Sequence, residues 1–66
     1  MTRQQAFARR LLRLKPGAAY LSMSVGSLRA RIQRGELPAV VTGEGAPWLV
    51  DIKDLDDWID KNKTRL

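Results

Sequence analysis

The segment from Ser22 to Pro38 constrains the fold more than any other part of this chain. Positions 25–34 read as a helix with both ends marked. Ser24 stands at the N-cap position, Gly35 sits just past the last turn, and Pro38 follows soon after. With successive side chains about 100° apart, Val25, Leu28 and Ile32 gather within roughly 60° of arc and form the buried stripe. A second helix fits 14–21. Pro16 falls in its first turn, where a missing N–H costs little, and Ala18, Tyr20 and Leu21 supply its apolar contacts. Gly17 weakens this helix. Only Ser22, Met23 and Ser24 separate the two helices, so they must cross steeply around a shared apolar contact.

That is the spacing of a helix-turn-helix. Upstream, 2–12 reads as a short basic helix capped by Thr2, with Phe7 and Leu11 as a sparse apolar pair, marginal unless docked or ordered by a partner. Downstream the period changes. Ala39-Val40-Val41 and Trp48-Leu49-Val50 flank a turn-rich loop over 42–47 and read as a two-stranded hairpin. Asp51 then caps a helix over about 52–62, with acids in its first turns and Lys61 and Lys63 at its end, each complementing the helix dipole. Leu55, Trp58 and Ile59 form its buried stripe. The expected architecture is mainly α with a small β-hairpin: a basic N-terminal extension over 1–13, one domain over 14–62, and a tail over 63–66.

Composition narrows the chemistry. A domain of 66 residues buries only about 60% of the surface its unfolded chain exposes, which leaves no room for a substrate cleft beside an independent core. There is no cysteine and no histidine, so a thiolate nucleophile, the usual general base near neutrality and the commonest metal ligand are missing. We therefore expect no enzyme, no cofactor and no metal site. No apolar run is long enough for a membrane span and no secretory signal pattern is present, which gives a cytoplasmic expectation. The acids Asp54, Asp56, Asp57 and Asp60 match no calcium loop and are better explained by capping and helix surface.

Charge is unevenly distributed. Residues 1–38 carry eight Lys and Arg against Glu36 alone, whereas 39–66 carry four against six acids. One-signed charge gathered in one half implies a polyanionic partner for that half. Arg outnumbers Lys eight to four, which suits planar recognition of phosphates and guanine edges. On the helix over 25–34, Gly26, Ser27, Ala30, Gln33 and Arg34 point away from the buried stripe, with Arg29 and Arg31 on its flanks. Small residues at the centre let a helix sit deep in a groove about 12 Å wide while flanking arginines reach phosphates. No acid occurs between Lys15 and Arg34, so no i, i+4 ion pair offsets these charges within the helix. Arg29 and Arg34 are the foremost candidates for DNA contact. Ser27 and Gln33 follow, with Ser24, Lys15 and Arg31 as positioning contacts. The bland alternative, a solvated basic surface, predicts acids interleaved among these arginines. Trp48, Trp58 and Tyr20 have the ring faces for stacking on single strands, but the two tryptophans fall at core positions.

Read in order, Ala18, Tyr20-Leu21, Met23-Ser24, Leu28-Arg29, Ile32, Gly35-Glu36-Leu37-Pro38-Ala39, Trp48, Asp54-Leu55 and Trp58-Ile59 form a pattern similar to that of the excisionase-type, MerR-like winged helix-turn-helix DNA-binding domains. The likeness covers about residues 12–61 and breaks only in the wing. It implies a winged helix whose 25–34 helix enters the major groove of duplex DNA, with a wing near the adjacent minor groove. It also implies one of two roles. The first is a phage- or plasmid-type excisionase, a recombination directionality factor that binds repeated sites, self-associates along DNA and contacts an integrase. The second is a small prophage- or plasmid-type transcriptional regulator. Phage terminase small-subunit DNA-recognition domains share the fold and normally add an oligomerisation segment. From another class, the basic N-terminal segment could grip an acidic protein partner. Departures from the pattern are local. Glu44 tips a wing that usually carries Arg or Lys, leaving Thr42 and Gly43 as its DNA-contact candidates. Arg13 and Gly17 replace the usual cap residue and Ala, which predicts a looser first helix.

Overall fold

A computed structural model describes residues 9–65. Its elements run β1 (Leu11–Arg13), α1 (Leu14–Tyr20), α2 (Val25–Gln33), β2 (Leu49–Asp51) and α3 (Ile52–Asn62). Three helices and a two-stranded antiparallel sheet make a small winged helix-turn-helix. The two helices of the motif, its turn and the capped C-terminal helix fall where the sequence places them, α1 and α2 each ending one residue earlier.

The basic N-terminal helix expected over 2–12 is corrected at its end. Thr2 and Phe7 lie outside the described residues, but Leu11–Arg13 is strand β1, paired antiparallel with β2 in the register Leu11↔Asp51, Leu12↔Val50 and Arg13↔Leu49. Ile52 N–H donates to the Arg10 carbonyl at 2.9 Å and extends this ladder. A three-residue strand has one inward side chain, here Leu12, and one inward residue carries no period to tell strand from helix. The pairing with β2 decides. On its other side β2 meets the expected wing pairing, a bridge between Val40 and Leu49 with N···O distances of 2.7 and 3.1 Å. β2 thus pairs with β1 on one edge and makes this single bridge on the other.

Leu14, Ala18, Leu28, Leu37, Val50 and Leu55 form the buried core, with Leu28, Val50 and Leu55 fully enclosed. α1 contributes Leu14 and Ala18, while α2, the segment after it, β2 and α3 contribute one residue each to a single centre. Leu12, Leu21, Met23, Val25, Ile32, Trp48 and Trp58 pack around it. Gly17 is buried where α1 crosses Val50, and a Cβ there would lie 2.7 Å from Val50 Cγ2 and 3.4 Å from Leu28 Cδ2. The expected weakness of α1 at Gly17 has a reason that helix propensity alone does not give. The missing side chain is the space into which β2 fits.

Both helices of the motif end in the same backbone device. At the end of α1, Ser22 N–H donates to Ala19 O (3.0 Å) and Met23 N–H to Ala18 O (2.9 Å), with Ser22 at φ 57°. At the end of α2, Gly35 N–H donates to Ile32 O (3.0 Å) and Glu36 N–H to Arg31 O (2.9 Å), with Gly35 at φ 81°. Each is a Schellman motif, in which a left-handed residue reverses the chain and satisfies two orphan carbonyls. Gly35 adopts that conformation freely. Ser22, exposed and bearing a Cβ, does so at a cost. At the other end of α2, the Ser24 hydroxyl oxygen accepts the Ser27 N–H at 3.1 Å. α3 begins with Asp51 Oδ1 accepting the Lys53 N–H at 3.0 Å, and the Asp51 Oδ2 accepts Arg10 Nε–H, also at 3.0 Å.

Three outcomes test this account. Gly17→Ala should lower stability by about 1–2 kcal/mol in urea unfolding, because overpacking outweighs the roughly 1 kcal/mol gained in helix propensity. Combining it with Val50→Ala should cost less than the sum of the two changes. Ser22→Gly should raise stability by about 0.5–1 kcal/mol, whereas the β-branched Ser22→Val should lower it by more than that. Finally, the Arg10 guanidinium and the Lys53 N–H hold the Asp51 carboxyl below its ordinary value. Its contribution is therefore complete above the ordinary carboxylate range and is lost as pH falls through the depressed folded value. Asp51→Asn should be less stable than the parent at pH 7 and should lose less on acidification towards pH 2, measured by urea midpoints.

Candidate nucleic-acid interface

The outer surface of α2 follows from its buried stripe. Leu28 is fully enclosed, Val25 and Ile32 are half-buried, and Gly26, Arg29, Gln33 and Arg34 are exposed. Ser27 and Ala30, expected at the centre of the outward face, are half-covered. A Cβ on Gly26 would meet nothing within 4 Å, so packing does not demand this glycine. It keeps the surface low. Ser24 is spent in part on its cap bond, and the Val25 and Gly26 N–H groups precede the first helical partners.

A groove opens between α2, the start of α1 and the base of the wing. Arg13, Lys15 and Arg29 line it, over a floor that includes Leu14, Val25 and Trp48, with Pro47 on the wing side. The Arg29 guanidinium lies 5.6 Å from the centre of the Trp48 ring, a cation–π arrangement that leans it towards the wing. Among the described residues none of Arg13, Lys15 and Arg29 has an acidic partner within ion-pair distance. Three unneutralised cations therefore share one concave surface, where low-dielectric walls strengthen their joint field. Arg13 gains its place from being both the last residue of β1 and the N-cap of α1, where its side chain makes no capping bond.

Arg31 and Arg34 behave differently. Glu36 lies just past the window in which the sequence shows no acid, and the Schellman motif turns it back onto both. Its Oε1 accepts Arg31 Nη1–H at 3.0 Å, and its Oε2 accepts Arg34 Nε–H at 2.9 Å and Nη2–H at 2.7 Å. These bonds hold the Glu36 carboxyl below its ordinary value. Arg31 is half-buried, with its guanidinium 5.3 Å from the Trp58 ring centre and its Nε enclosed without a partner. It ties α2 to α3. Arg34 keeps 56% of its side-chain surface exposed.

The wing is a tight turn. Ala46 N–H donates to Gly43 O at 3.1 Å, with Gly45 at φ 80°. Thr42 and Gly43 are exposed on it but do not line the basic groove; Ala46 and Pro47 do. Of the residues singled out from the sequence, Lys15 and Arg29 thus come together, Arg31 and Arg34 form a second cluster, and Gln33 stands exposed near the end of α2. Trp48 and Glu36 are the participants sequence reasoning missed. The signal for Glu36 was its place immediately after the helix-ending Gly35. Trp48 and Trp58 pack on the core as expected, while Tyr20 is 44% exposed and donates its O–H to Asp56 at 2.6 Å. That bond raises the Tyr20 hydroxyl above its ordinary value. Among the described residues no helix is long and apolar enough to cross a membrane.

Comparison with known proteins agrees with this geometry. No curated protein and no solved structure matches the chain. A family model described as a helix-turn-helix domain matches residues 8–63. That family includes excisionase-like domains and is typically non-enzymatic. The match spans β1, both helices of the motif, the wing and α3, and so the chain belongs to the helix-turn-helix domain family, which implies DNA binding.

Proposed function

We propose that this chain is a sequence-specific double-stranded DNA-binding protein in which α2 enters the major groove and the basic groove receives the flanking phosphate backbone. The observation that carries the reading is the gathering of Arg13, Lys15 and Arg29 beside a low, small-residue helix face. A phosphate held there meets three cations with no internal competitor, while Gly26 and Ala30 let the helix approach base edges. Ser24, Ser27 and Gln33 are short or neutral polar groups suited to hydrogen bonds at the groove floor and its rails. Thr42 and Gly43 stand at the wing as backbone contacts, with Glu44 beside them weakening the approach of the wing to DNA. Arg31, committed to Glu36 and Trp58, supports the interface from within the protein.

The finer role we propose is that of an excisionase-like recombination directionality factor. An interface built on one short helix and one small groove holds a single site weakly, and several copies side by side on repeated sites, with an integrase as protein partner, offset that weakness. A transcriptional regulator would use the same surface. Selection of bound duplexes from a random pool separates the arrangements: direct repeats support the array, whereas inverted repeats indicate a two-fold dimer and remove it.

Its position in the basic groove beside Trp48 supports a phosphate contact for Arg29. Arg29→Ala should weaken specific and random duplexes alike and make the salt dependence shallower by about 0.9 in the slope of log K against log salt, measured by mobility shift at several salt concentrations. Loss of preference at one base pair with an unchanged slope would instead make Arg29 a base reader. Absence of duplex binding even at low salt would remove the DNA-binding reading altogether and leave the interaction with an acidic protein.

A further inference from the structure

Glu36 is the one acid set among the cations at the end of α2, and it makes three hydrogen bonds to two of them. Its backbone is fixed by the Schellman bond from its own N–H to Arg31 O at 2.9 Å, and its two carboxylate oxygens are divided between Arg31 and Arg34. Arg31 is itself braced on Trp58. A chain of contacts thus runs from α3 through Trp58, Arg31 and Glu36 to the exposed guanidinium of Arg34.

We propose that Glu36 is a positioning residue for sequence reading, which aims Arg34 at the O6 and N7 acceptors of a guanine in the major groove. This rests on the DNA-binding reading above. A guanidinium carries five N–H donors in a fixed fork. Glu36 Oε2 takes the Nε donor and one on Nη2, leaving the end of the fork, with its two parallel donors on Nη1 and Nη2, unoccupied. That spacing matches a guanine edge bidentately. A pair of phosphate oxygens offers similar acceptors, but charge favours the base. One carboxylate shared by two guanidinium groups reduces the charge of the cluster from two to one, which weakens its pull on phosphate and leaves the direction of its hydrogen bonds intact. Arg34 therefore reads, whereas Arg29, with no carboxylate, grips. Glu36 also adds a local repulsion against any duplex that cannot repay the approach with a base contact.

The experiment uses the whole chain and duplexes selected from a random pool, with affinity measured for the selected site, for each single-base variant of it, and for random duplex. Glu36→Gln should bind random duplex severalfold more tightly and lose about tenfold of its discrimination at one guanine. Arg34→Ala should lose discrimination at the same guanine. So should Arg34→Lys, which keeps the charge without the fork and serves where Glu36→Gln lowers stability too far to compare. Replacing that guanine by 7-deazaguanine should weaken the parent protein and leave Arg34→Ala unaffected. Equal changes across all sequences in Glu36→Gln would overturn the proposal, showing a charge effect only. Uniform weakening with a shallower salt slope in Arg34→Ala would overturn it too, making Arg34 a phosphate contact. If the parent binds duplex with clear preference and these variants keep every base preference, the proposal alone fails. If the parent binds no duplex, the DNA-binding reading fails and the proposal falls with it.

Discussion

The close approach of α1 to β2 at Gly17 sets the position of nearly everything else. A Cβ at that residue would collide with Val50 at 2.7 Å and press on Leu28 at 3.4 Å, and both of those side chains are fully buried. One point thus joins the first helix of the motif, the second helix and strand β2. Because β2 fits against the bare backbone of α1, its neighbours β1 and Val40 are drawn to the same side of the helix pair, and the wing starts from that platform. Trp48, the residue before β2, then stands at the wing base where Arg29 can lie against it. In a domain this small, with six buried apolar residues and a rim of half-buried ones, stability rests on such shared contacts rather than on the size of the core.

The second constraint is the pair of chain reversals. A Schellman motif ends a helix and also dictates where the next two residues go. After α1 it sends Met23 back onto the core and leaves Ser24 free to cap α2, so three residues suffice to turn one helix into the other. After α2 the same reversal carries Glu36 back beside Arg31 and Arg34 and delivers Leu37 to the core at 2% exposure. Structure and charge are therefore coupled at one peptide. The reversal that closes α2 also places the acid that pairs with two of its arginines.

Much of this was legible in the sequence because it depends on local signals. Ser24, Gly35 and Asp51 mark helix ends by their own side-chain or backbone chemistry, and the stripe of Val25, Leu28 and Ile32 declares its inward face by spacing alone. What was not legible depends on partners distant along the chain. β1 has too few residues to show a period, and only its ladder with Leu49–Asp51 makes it a strand. Gly17 reads as a weak helix residue until Val50 is seen filling its place. The division of the arginines into those paired with Glu36 and those without an acidic partner was equally hidden. Helix spacing predicts i, i+4 partners, whereas Glu36 reaches Arg31 from five residues away and Arg34 from two through a reversal of the backbone.

The same division explains how a chain with a net charge of +5 concentrates its field. Asp51 is engaged with Arg10 and Asp60 with Lys63, both away from the α2 face, and Glu36 is engaged with Arg31 and Arg34 at its end. The acids of the second half do not line the basic groove: Asp51 caps α3, which carries Asp54, Asp56, Asp57 and Asp60, with Asp56 bonded to Tyr20, and Glu44 stands on the wing outside the groove lining. What remains without an ionic partner at the α2 face is the set Arg13, Lys15 and Arg29, one from the end of β1, one from α1 and one from α2. No single element holds this set, so the basic groove exists only when the sheet, the helix pair and the wing base are assembled. A polyanion that binds there stabilises the packing that creates its own site, since ligand binding to the folded state alone draws the equilibrium towards it.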